Sequence, residues 1–209
     1  MSDILERIVA LRRQDYRQLG ASFGVSIPQV RVRPLVPFLA KDGVVLEIKR
    51  ASPSKGAIAL DLDPIQLRNQ YIQAGARQIS VLTEQRFFKG SLEDLTIAST
   101  GNTTTAFLRK DFILYPDELE VSYRCGADAV LLIARILPPA LLRELVERCC
   151  SLGMVPLVEV REHEDTVKLA TLAMQFPVVA GVNSRDLASF KVDPLVPAGM
   201  IGTLPCRAV

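Results

Sequence analysis

The sequence predicts an α/β fold in which parallel strands, each followed by a helix, curl into a barrel. Three observations carry that expectation. Short apolar runs recur from residue 44 onward, longer segments with helix punctuation separate them, and ionisable side chains close several of the runs. A parallel strand is covered on both faces and reads as a nearly continuous apolar stretch, as do VVLEIK, ISVLTE, TAFLRKD, AVLLI, VPLVEV and VVAGVN. Their expected C-terminal ends lie near Glu47, Thr83, Lys110, Ile133, Glu159 and Asn183.

Ahead of the first run, Ile4, Ile8, Leu11 and Leu19 recur near one helical face, with Ser2 and Asp3 available as caps. The chain is therefore expected to open on an amphipathic helix that covers one end of the core. A connector rich in Val and Pro, Val25 to Pro37, follows it. Between the runs, helix starts are signalled by Asp63 before Pro64, a capping-box pattern from Ser91 to Asp94, Pro116 with Asp117 and Glu118, and Pro138 with Pro139. Helix stops are signalled by glycine: GARQISVL and GADAVLL each place Gly where a helix gives way to a strand, and Gly153 repeats the device before VPLVEV. This rhythm suits an eightfold barrel and a doubly wound sheet equally.

The 209 residues, 49% hydrophobic and 23% charged, suffice for one sizeable core. A net charge of +2, from 25 basic and 23 acidic residues mixed along the chain, argues against nucleic acid as a partner. Cys125, Cys149, Cys150 and Cys206 lack CxxC spacing, and His163 is the only histidine, so neither a disulfide scaffold nor a metal site is expected. Reduced, mostly buried thiols and a cytoplasmic location are. Charges every few residues in the N-terminal stretch exclude a signal peptide and a membrane span there. No GxGxxG or GxxxxGK[ST] pattern supports a nucleotide site.

Chemistry in β/α barrels sits at the C-terminal ends of the strands, so the charged run ends are the informative residues. Glu47 and Lys49 close the first run, Lys110 the third, Glu159 the fifth, and Asn183 with Arg185 the sixth. Groups from four strands share one mouth only if the sheet curls, which favours the barrel. Each also has a plainer reading: Glu47 and Lys49, two apart on one strand face, suit a structural ion pair, and Lys110 beside Asp111 suits a solvated lysine. Glu159 within PLVEV needs a partner or a task. His163 reads as a solvated residue at a helix start, and Cys149-Cys150 as packing. Phe87 and Phe88, before Lys89-Gly90, either cover a ligand or pack their loop.

Taken in order, VVLEIKRASPSKG, SVLTEQRFFKGSLEDL, FLRKDFI, GADAVLLI, PLVEV and GVNSRDL resemble the motifs of the indole-3-glycerol-phosphate synthase family, over residues 1 to about 193. The Glu-x-Lys-x-x-Ser-Pro and LRKDF blocks are the specific ones. The resemblance implies a (β/α)8 barrel of the TIM type with an extra N-terminal helix. It implies Glu47, Lys49, Lys110, Glu159 and Asn183 as catalytic residues, with Ser52, Phe88, Leu131 and Arg185 lining the substrate site. The implied reaction closes the ring of 1-(2-carboxyphenylamino)-1-deoxyribulose 5-phosphate, with loss of carbon dioxide and water, in tryptophan biosynthesis. No cofactor is implied, and the substrate is a small phosphorylated aromatic molecule.

The family pattern continues into a seventh strand with a Glu-Ser-Gly-type ending and an eighth with a Gly-rich phosphate loop. Neither is in these residues; the terminal CRAV is expected to begin the seventh strand. The expected organisation is a single domain: residues 1–43 form the helix and connector, and 44–209 carry six β/α units and that beginning. Such an incomplete barrel, lacking most of strand seven and all of strand eight, is expected to expose two sheet edges and most of the phosphate site. Weak or absent activity in isolation follows, with a complementing C-terminal barrel segment as a possible partner. The competing expectation is a non-catalytic or vestigial barrel piece.

Overall fold

A computed structural model describes residues 4–40, 42–184, 193 and 195–209. Strands β1 (Val45–Ile48), β2 (Gln78–Leu82), β3 (Ala106–Lys110), β4 (Ala129–Ile133), β5 (Val155–Val160) and β6 (Val179–Val182) form one sheet. Their spatial order is their chain order, and every neighbouring pair is parallel. A doubly wound sheet reverses direction at a switch point; this one does not. Helix α1 (Ile4–Leu19) precedes the sheet, and α2 (Pro64–Gln73), α3 (Leu92–Ser99), α4 (Asp117–Arg124), α5 (Pro139–Ser151) and α6 (His163–Ala173) connect its strands. Laid flat, β1 and β6 would stand about 24 Å apart, at roughly 4.8 Å per strand. Instead, residues of β1, β5 and β6 line a single cavity, so the sheet is curled into a partial barrel.

Alternate residues divide between two cores. Ile79, Val81, Phe107, Val130, Leu132, Val158 and Ala180 face the helices, while Leu108, Ala129, Leu131, Leu157 and Val179 face the barrel axis. The continuous apolar runs follow from this double coverage.

The punctuation acts largely as its chemistry suggests. Asp63 caps α2 by accepting from the Ile65 and Gln66 amides at 2.8 and 3.3 Å. Gly75 and Gly126 both take φ of 92° at the turn into a strand, a conformation costly for any residue with a Cβ. Ser91 caps α3, accepting from the Glu93 amide at 2.8 Å. Asp94, expected to complete a capping box with it, instead binds Arg50 through both oxygens, at 2.8 and 3.1 Å. The reciprocal capping box forms at α6, between Glu162 and Asp165.

Helix α1 departs further from expectation. Its buried stripe is Leu5, Ile8, Arg12 and Asp15, whereas Leu19 is 48% exposed. Ser2 and Asp3, its expected caps, lie outside the described residues. The stripe follows ion pairs rather than hydrophobicity alone: Arg12 meets Asp111 at 3.2 Å and Glu118 at 3.1 Å, and Asp15 is bound by Arg86. The connector is pinned in the same way. Asp128, 1% exposed, accepts from Arg31 at 2.8 Å and Arg33 at 2.5 Å, and from the amides of Val36 and Phe107 at 2.8 Å each.

Beyond β6 lie a short helix α7 (Leu195–Met200) and an extended tail. Ala208 bridges Ala180 in parallel, with the Ala180 amide donating to the Arg207 carbonyl at 2.8 Å. The end of the CRAV segment thus runs beside β6. Arg207 also donates to the Leu39 carbonyl and to Asp42, ahead of β1.

Candidate active site

Strand parity decides which side chains reach the mouth. Glu47, Lys110 and Glu159 belong to the axis-facing set, and Lys49 lies one step beyond β1 in the same parity. The Glu47 carboxylate lies between two ammonium groups. Lys110 donates to one oxygen at 2.6 Å and Lys49 donates to the other. Across the mouth, Asn183 donates to Glu159 at 3.2 Å. The ion pair expected of Glu47 and Lys49 therefore exists, and it is one half of a three-residue group inside a cavity.

That cavity, of about 610 Å³, is bounded by Glu47, Lys49, Ser52, Phe88, Lys110, Leu131, Glu159 and Asn183. Eight of the nine residues singled out in the sequence thus come together. The ninth, Arg185, lies outside the described residues. The structure adds Leu5 and Ile8 of α1, Phe112 after β3, and Ile133 at the end of β4. Phe112 was legible in principle, since it follows the LRKD run end directly; α1 was not, because nothing in its spacing indicates which strand ends it crosses. Phe88 and Phe112 face each other with ring centroids 6.2 Å apart. Phe88 belongs to a loop whose backbone reaches the chain after β1, its carbonyl accepting from the Ala51 amide at 3.1 Å.

Environment separates the two carboxylates. Burial pushes the Glu47 pKa up, but the ammonium groups of Lys110 and Lys49 outweigh it and hold the group below its ordinary value. Burial also raises Glu159, and there the Asn183 hydrogen bond and the more distant Lys110 charge only partly offset it. The two carboxylates are thereby driven in opposite directions, Glu47 below and Glu159 above the ordinary value.

Behind the mouth, the flanks of Lys110 face the helices and are locked. Arg109 is fully buried and donates to Asp111 at 3.0 Å, to Thr83 at 3.1 Å and to Ser122 at 2.9 Å. Thr83 donates through its hydroxyl to Asp111 at 2.5 Å and through its amide to the Lys110 carbonyl at 3.1 Å. The backbone that presents Lys110 is held on both sides.

Paired cations and carboxylates at the C-terminal ends of a curled parallel sheet, beneath an aromatic wall, make a candidate site where β/α-barrel enzymes carry theirs. The family model described as indole-3-glycerol phosphate synthase matches residues 5–200. The chain belongs to the indole-3-glycerol phosphate synthase family. It is 38% identical over 191 residues to the indole-3-glycerol phosphate synthase of Geobacillus kaustophilus, covering 90% of this chain and 72% of that one. It is 44% identical over 167 residues to that of Mycolicibacterium smegmatis, covering 80% and 60%. With that of Desulfotalea psychrophila it shares 40% over 205 residues, covering 92% and 76%. Among solved structures, the carboxyl transferase domain of Rhizobium etli pyruvate carboxylase aligns with a TM-score of 0.44 at 12% identity, covering 78% of this chain and 38% of that one. Among the described residues, no helix is long and apolar enough to cross a membrane.

Proposed function

We propose that Glu47, Lys49, Lys110, Glu159 and Asn183 carry out the decarboxylating ring closure of 1-(2-carboxyphenylamino)-1-deoxyribulose 5-phosphate to indole-3-glycerol phosphate, in the cytoplasm. The observation that carries this reading is the Glu47 carboxylate held between Lys49 and Lys110, opposite a second carboxylate, Glu159, that accepts from Asn183 and whose pKa burial raises. The electron-rich ring carbon attacks a ketone, and negative charge develops on the ketone oxygen. Lys110 supplies the proton or the positive field there. Glu47 aligns both ammonium groups, leaving Lys49 to hold the anionic parts of the substrate and to assist loss of the hydroxyl. Attack at the carboxyl-bearing carbon leaves an iminium that accepts the electrons released with carbon dioxide, so the substrate supplies its own electron sink. Glu159, oriented by Asn183, moves the proton that leaves as the indole becomes aromatic. Phe88 and Leu131 cover the aryl ring, while Ser52 and Arg185 complete the substrate site.

Indole-3-glycerol phosphate formation by the purified chain tests the reading. Lys110→Ala should lower kcat by about 10²–10⁴ with the fold intact; equal rates in the two chains would sink the assignment.

A second reading is favoured by a cavity of about 590 Å³ between β1 and the 207–209 segment, lined by Val45, Leu157 and Val182. Among the described residues, β1 pairs in the sheet only with β2. In this reading the chain is a barrel piece of low activity whose open edge accepts a complementing strand-bearing segment. Turnover that rises on co-expression with such a segment supports it. Full turnover by the 209-residue chain alone removes it.

A further inference from the structure

Glu84, two residues beyond the end of β2, is only 1% exposed and has no part in the chemistry above. A carboxylate at that depth persists only if its oxygens are well satisfied. They accept from three successive backbone amides: Arg86 at 2.8 Å, Phe87 at 2.7 Å and Phe88 at 2.9 Å. The Glu84 carbonyl accepts from the Gly90 amide at 2.9 Å. Two backbone features fit this winding. Lys89 takes φ of 56°, in the left-handed region, and a Cβ on Gly90 would lie 2.0 Å from the Leu82 carbonyl oxygen. The whole turn is wrapped around one side chain, and its last aromatic, Phe88, is the one that lines the site cavity.

We propose that Glu84 is a positioning residue, whose buried carboxylate fixes the Arg86–Phe88 backbone and so sets the Phe88 ring as the wall against which the substrate's aryl ring lies. The second half rests on the function proposed above. An amide in place of the carboxylate turns an NH2 group towards amides that donate, so Glu84→Gln loses at least one of the three bonds.

The chain contains no tryptophan, so Phe88→Trp installs a single reporter in the wall. In that background, adding Glu84→Gln should raise acrylamide quenching of the reporter about twofold and lower its anisotropy, as local opening requires. Unchanged quenching overturns the proposal. In the unlabelled chain, Glu84→Gln should raise KM about tenfold while changing kcat by less than about threefold, because contact with a ring wall is made in ground and transition states alike. In a Phe88→Ala background the same replacement should raise KM by less than about twofold, and full additivity overturns the proposal. If Glu84→Gln does not fold, hydrogen exchange of the unaltered chain decides. The Arg86, Phe87 and Phe88 amides should be slowed together by about a hundredfold or more, and unprotected amides overturn the brace. A reporter that responds to Glu84→Gln in a chain that turns over no substrate upholds the brace and overturns the function.

Discussion

At the scale of single residues, the candidate site separates two chemically identical groups. Glu47 and Glu159 were both legible in the sequence as carboxylates closing apolar runs, and the two-residue spacing of Glu47 and Lys49 foretold their pairing. Nothing in that spacing distinguishes their protonation, which depends on Lys110 approaching Glu47 from a strand 63 residues away in sequence. The difference has a kinetic consequence. To accept a proton Glu159 must be ionised, and burial raises its pKa. The acid limb of kcat/KM should therefore lie above the ordinary glutamate value of about 4.3. Measured pH profiles should lose that limb in Glu159→Gln, together with about 10²-fold or more of kcat. A limb that survives the substitution assigns it to another group.

Elements were legible where packing imposes a period. Strands covered on both faces must be apolar throughout, and helix ends leave amides and carbonyls that Asp63, Gly75 and Gly126 serve, so these were readable from the residues alone. Helix α1 and the connector were misread or opaque for the opposite reason. Their inward-facing residues include the buried Arg12 and Arg33 and the half-buried Arg31, which look solvated in sequence and turn inward because their carboxylate partners lie about a hundred residues further on. Asp128 gathers four donors on its two oxygens and fixes the connector against β3. Asp128→Asn leaves the buried Arg33 and the half-buried Arg31 without their counter-ion. It should cost about 3 kcal/mol in unfolding free energy, read from the urea midpoint. A loss below about 0.5 kcal/mol, the size of a typical surface substitution, would mean that the connector is held by other contacts.

For the molecule as a whole, buried charge makes stability depend on pH in two opposing ways. The folded pKa values of Glu84, Glu118 and Glu159 are raised, chiefly by burial. Each imposes a cost on the folded state that is present above its folded pKa and absent below its unfolded one, so acidification from about pH 7 should first increase stability. Asp111 and Glu47 are lowered, because neighbouring cations outweigh burial, and Asp15 is lowered by its hydrogen bond from Arg86. Their contribution is complete above the ordinary values of about 3.9 to 4.3 and is lost as pH falls through the depressed folded ones. Urea midpoints measured between about pH 3 and 7 should pass through a maximum on the acid side. Glu118→Gln should reduce the rise and Asp111→Asn the fall. A midpoint that declines steadily from neutrality would contradict this balance.

By itself, the sequence determined the order of strands and helices, the family, and the residue types at the mouth. These follow from local rules: double coverage of parallel strands, capping chemistry, and motifs that keep their order along the chain. Only the tertiary structure decided that the strands follow one another without reversal and curl, that Glu47 lies between two lysines, and that Glu84 and Asp128 hold loops rather than meet solvent. Those outcomes depend on which distant groups share a small volume of low dielectric, and the spacing of residues along a chain does not encode that.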